Sequence, residues 1–127
     1  MTIKELMKKS HATAVEKGFW ASEKGITGDT NLSSFESLKD VCRIEKRNDG
    51  ELIALMHSEL SEALEALRHG NPKSEHIPEF SAVEEEMSDL LIRACDMAEA
   101  RGYKLEEALE AKLLYNKTRP YKHNKEF

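Results

Sequence analysis

Apolar residues recur at helical spacing along most of the chain, and no stretch alternates with the period of two that marks a strand. Thr2-Ile3-Lys4-Glu5 has the form of a capping box and opens a predicted helix to about Gly18. Residues 20–34 hold Gly25, Gly28, Asp29, Asn31, Ser33 and Ser34, so this stretch reads as loop, and a short helix over about 34–44 follows. Asn48-Asp49-Gly50 starts a long second helix that ends at His69-Gly70-Asn71-Pro72. Lys73 to Phe80 is a connector. Ser81-Ala82-Val83-Glu84 is another capping box, whose helix reaches Arg101 before Gly102. A last helix spans about Leu105 to Lys117 and stops before Pro120. The pattern predicts one all-α domain over residues 1–127, an antiparallel bundle of four main helices.

The second helix carries the most informative detail. At about 100° per residue, Leu52, Leu55, Met56, Leu60, Ala63, Leu64 and Leu67 sweep out one broad apolar arc. Glu59 falls inside that arc, Glu62 on its border, and Glu51 and Glu65 on the opposite side. An ionised carboxylate on a core-facing stripe is costly unless something pairs with it. A second acid pair, Glu86 and Asp89, shares a face of the 81–101 helix by the same i, i+3 spacing. Four like charges brought together would repel, and a divalent cation answers both difficulties. An oxygen-rich cluster suits Mg²⁺, with Mn²⁺ as a substitute. A di-iron bundle would need Glu-x-x-His motifs, and no Glu here has a His three residues on. Glu107/Glu110 shows the same spacing and reads as a solvated pair.

Composition narrows the classes. A net charge of −5 argues against nucleic-acid binding, which draws on Lys and Arg to neutralise phosphates. Cys42 and Cys95 have no metal-type spacing and are expected as reduced thiols. No signal-peptide pattern or membrane-length apolar run is present, so a soluble, cytoplasmic protein is expected. The apolar stripe of the 81–101 helix (Val83, Met87, Leu90, Leu91, Ala94, Met97 and Ala98) serves either packing within the monomer or association. Four helices of this length leave much apolar face to cover, which favours a homodimer or homotetramer.

Glu59-Leu60-Ser61-Glu62 followed by Glu86-Met87-Ser88-Asp89 resembles the E-x-x-E…E-x-x-D signature of the MazG-like nucleoside triphosphate pyrophosphohydrolases of small bacterial and phage type. The similarity extends over Leu55 to Arg68, over Asp89 to Asp96, over Lys112 to His123, and over His11 to Trp20. The resemblance implies an all-α hydrolase that cleaves a (deoxy)nucleoside triphosphate between the α and β phosphates, giving monophosphate and pyrophosphate. It implies Glu59, Glu62, Glu86 and Asp89 as ligands of Mg²⁺ ions that bind phosphate oxygens and activate a water. Glu59, with its apolar neighbours, is the expected base.

Lys112, Asn116 and Arg119 recur at i, i+4 and i+7 and would meet the leaving pyrophosphate, Arg119 as a bidentate fork. Arg93, four residues past Asp89, either binds phosphate or offsets the acids. Trp20 either stacks on the base or anchors the first helix. His11 is a further substrate-contact candidate. Two other readings remain open: a phosphoribosyl-ATP pyrophosphohydrolase, and a non-catalytic nucleotide-binding oligomerisation module.

Overall fold

The computed structural model describes residues 1–20 and 47–126; the loop expected over 20–34, apart from Trp20, and the short helix expected over 34–44 lie outside the described residues. Four α-helices and one terminal 3₁₀ turn are present among those residues: α1 (Ile3–Glu16), α2 (Asp49–Arg68), α3 (Ala82–Arg101), α4 (Leu105–Lys117) and Tyr121–Asn124. The helix starts are chemically marked. Thr2 Oγ1 accepts the Glu5 N–H and Glu5 returns the bond to the Thr2 N–H. Ser81 and Glu84 repeat that reciprocal arrangement at α3. Asn48 caps α2 through the Glu51 N–H. Each bond satisfies a backbone donor that the first helical turn leaves unpaired. At the end of α3, Gly102 turns left-handed at φ 66° and the Tyr103 N–H reaches the Ala98 carbonyl, a Schellman closure.

α3 is the centre of the fold, with α1 and α2 both packed on it. Cys95 and Ala98 of α3 meet Met7 of α1, with Ile3, Leu6 and Leu105 around them. One helical turn away, Met97 meets Leu52 of α2 and Trp20, flanked by Ala14, Val15, Met56 and Ala100. α4 is different. It packs against α1 and has no buried residue.

The broad arc of α2 does not face the core as a whole. Leu52 and Ala63 are buried with Glu59, while Leu60, Leu64 and Leu67 stand at 46, 50 and 58 % exposure. Among the described residues α2 packs substantially on α3 alone, and one helix covers only part of an arc this wide. Met87 and Leu91 of α3, and Leu109, Leu113 and Leu114 of α4, are also exposed. No helix among the described residues is long and apolar enough to cross a membrane.

The connector between α2 and α3 is tied down rather than loose. The Ala82 N–H donates to the Pro72 carbonyl and the Ser74 N–H to the Phe80 carbonyl. Ser74 is buried, and its hydroxyl donates to Glu85 Oε2 at 2.5 Å while accepting from the His76 and Ile77 N–H groups. His76 Nδ1 donates to the other oxygen of Glu85 at 2.6 Å. These bonds fix the first turns of α3, where Glu86 and Asp89 sit.

Candidate metal centre and adjoining cavity

Glu59 and Glu62 come from one turn of α2, and Glu86 from the facing start of α3. One carboxylate oxygen of each lies within 4.8 Å of the other two. Glu59 is 4 % exposed, confirming that the apolar arc carries a buried acid. Its partner is Arg93, whose Nε donates to Glu59 Oε1. Of the two readings of Arg93, neutralising the acids is therefore what its geometry does. Asp89 stands just outside the trio; it shares α3 with Glu86 and lines the neighbouring cavity.

Glu62, Glu86 and Asp89 are all shifted upwards, burial being the largest cause in each. Burial first, then Glu62 and Glu59, pushes the Glu86 carboxyl up from 4.5 to about 7. Glu62 is raised by burial, then by its hydrogen bond to Glu59 and the charge on it, against a smaller opposing effect of Arg93. Asp89 is raised by burial and then by Glu59. Glu59, the expected base, is held by Arg93, and Glu86 is the acid raised to about 7. An all-oxygen donor set that crowds itself in this way fits a hard divalent cation, which would replace protons and repulsion with coordination.

A cavity of about 240 Å³ opens beside the acids, between α1, α2 and α3. Leu52, Leu55, Ile92 and Ala14 form apolar walls, and Asp89, Arg93 and Asp96 follow one another along one face of α3. Asp96 draws two of the expected substrate residues away from solvent. His11 Nδ1 donates to Asp96 Oδ1 at 2.8 Å, and Trp20 Nε1 donates to Oδ1 at 2.9 Å and Oδ2 at 3.0 Å. Trp20 is 2 % exposed, with the guanidinium groups of Arg47 and Arg101 4.8 and 5.4 Å from its ring centroid. Among the described residues the enclosed ring packs as an anchor for α1. Asp96 itself escaped the sequence reading. The signal was present, since Asp89, Arg93 and Asp96 are spaced i, i+4, i+7 and so share a helix face.

The basic stripe is not brought onto the acids. Lys112 and Asn116 lie on α4, which packs on α1, and among the described residues no ion pair joins Lys112 or Arg119 to the four acids, Glu59 pairing with Arg93. Instead Lys112 Nζ and the Arg119 guanidinium sit 4.7 and 5.8 Å from the Tyr115 ring centroid. The Oδ1 of Asn116 is buried without a partner. Glu107 is exposed as expected, and it pairs with Lys4 at 2.8 Å. Cys95 is a buried free thiol, raised by desolvation; Cys42 lies outside the described residues.

Comparison with the models of known families, with curated proteins and with solved structures finds no match to the chain.

Proposed function

We propose that the protein is a MazG-like, Mg²⁺-dependent nucleoside triphosphate pyrophosphohydrolase. The observation that carries this reading is the convergence of Glu59, Glu62 and Glu86 from two helices, beside a cavity lined by Asp89 and Arg93. Surface acids rarely bury one of their number; here Glu59 is buried and opposed by a single arginine. Glu59, Glu62, Glu86 and Asp89 would hold the metal, which when bound would screen phosphate charge and acidify a water. The chain's own groups do the rest. Arg93 holds Glu59 in place, and the Ser74–Glu85 hydrogen bond ties down the start of α3, the helix that carries Glu86. The apolar walls of the cavity exclude water from one side of the bound substrate.

Lys112, Asn116 and Arg119 serve the triphosphate tail in this reading, and the oligomer supplies their proximity to the acids. The exposed leucines of α2 and α4 form the faces that a second copy would cover. The test is a panel of canonical and modified (d)NTPs, including phosphoribosyl-ATP, with Mg²⁺ or Mn²⁺. Monophosphate and pyrophosphate in equal amounts are expected. Release of inorganic phosphate alone, or no turnover of any nucleotide, would overturn the proposal.

A further inference from the structure

We infer that the cavity beside the acids is a subsite for a heterocyclic base bearing an exocyclic amino group, with Asp96 as the acceptor that selects it. This rests on reading the protein as a nucleotide hydrolase. The volume of about 240 Å³ is smaller than the roughly 300–1,000 Å³ of pockets for drug-sized ligands and suits one ring system. Leu52 and Leu55 on one side and Ile92 on the other offer apolar contact to a planar face. Asp89 and Arg93 form the end nearest the acid cluster, so a base in the cavity leaves its sugar and phosphates directed there.

Asp96 is the enclosed carboxylate of the cavity and is fixed by its hydrogen bonds, whereas Ser10, also buried in the lining, leaves its hydroxyl without a partner among the described residues. Its side chain is 13 % exposed. Oδ1 already takes the hydrogens of His11 and Trp20, whereas among the described residues Oδ2 receives only a second share of the Trp20 hydrogen. A carboxylate has about four lone-pair positions, so Oδ2 retains capacity for a further donor. Two N–H partners hold it as an acceptor. An amino edge, as in cytosine or adenine, satisfies it directly; in the same pose uracil or hypoxanthine presents a carbonyl, lone pair to lone pair, and has to shift to offer its ring N–H instead. The cations nearby do not reverse this preference. Arg93 is engaged by Glu59, Arg47 lies over Trp20, and the Lys17 side chain is 64 % exposed and pairs with Glu16.

The experiment measures dissociation constants of cytidine against uridine, and of adenosine against inosine, for the full chain in chelator by ligand-observed NMR. The amino member of each pair is expected to bind about tenfold tighter. Asp96→Asn keeps an oxygen for His11 and Trp20 and places an amide donor where Oδ2 was, so the ratio should fall to one or below. Equal or tighter binding of uridine and inosine, no binding of any nucleoside, or an unchanged ratio in a folded Asp96→Asn variant overturns the inference. The wild-type ratio decides the matter even if that variant fails to fold. Pyrophosphate release from the triphosphates is measured in parallel. Base selection without release sinks the hydrolase reading and leaves the subsite standing; release without base selection sinks the subsite alone.

Discussion

Arg93 on α3 donates to Glu59 on α2, and this ion pair joins the buried acid to the helix that carries Glu86 and Asp89. Glu59 is almost fully enclosed, whereas the Arg93 side chain is 40 % exposed. Breaking a buried pair by removing one partner strands the other charge.

Arg93→Gln should therefore destabilise the metal-free protein by about 2 kcal/mol, less than the 3–5 of a fully buried pair because solvent reaches the arginine. Glu59→Gln in the same background should recover most of the loss, and Mg²⁺ should recover part of it. Denaturant melts of the two single variants and the double variant give the coupling directly. Additive losses would mean that the pair contributes nothing.

Glu86 makes stability depend on pH. Its folded value of about 7 exceeds the ordinary 4.5, so the native state holds the proton more tightly than the unfolded chain. The metal-free protein should gain stability as pH falls from above 7 towards 4.5 and lose it as pH rises through 7. Glu62 and Asp89, shifted in the same direction, add to the slope. Glu86→Gln should flatten the profile. Mg²⁺ should act the other way, stabilising more at pH 8 than at pH 5, because it competes with the same protons. Thermal melts across pH, with and without metal, follow both trends.

Metal should also raise the melting temperature at fixed pH. The acids converge only in the folded chain, so stabilisation follows RT ln(1 + [L]/Kd), about 2.7 kcal/mol at a hundredfold excess over Kd. Glu62→Gln should shrink that shift and abolish turnover while leaving helical content intact. Glu107→Gln, which loses only an exposed pair with Lys4, should leave the shift unchanged. Equal shifts in wild type and both variants would show that the cluster is ordinary surface charge.

The exposed leucines predict association. Sedimentation at tens of micromolar should show a homo-oligomer, and Leu64→Asp with Leu113→Asp should yield a monomer of unchanged helicity, since both side chains are half exposed. A monomeric wild type would remove the oligomer from the proposal.

Local chemistry made much of this legible in the sequence. Thr2 with Glu5, Ser81 with Glu84, and Gly102 are short-range signals, and each marks its helix end where the spacing placed it. Glu59, Glu62 and Glu86 were visible because i, i+3 spacing and an apolar arc are properties of one helix at a time. What depends on a partner helix was not visible. The half of the α2 arc that turns inward is chosen by α3, and so is the pairing of Glu59 with Arg93. Trp20 could be read either way until Asp96, 76 positions along the chain, met its indole N–H. The docking of α4 on α1 carries no sequence mark comparable to a cap.

Cys95 turns the centre of the fold into a clock. Its thiol is 1 % exposed, where α1 and α3 meet, and burial raises it further from the reactive thiolate. A reagent that alkylates thiolates can reach it only when α1 lifts from α3. The labelling rate of Cys95 thus counts openings of the helix that carries Glu86, Asp89 and Arg93, and occupation of the acids from outside should slow that count without touching the sulfur.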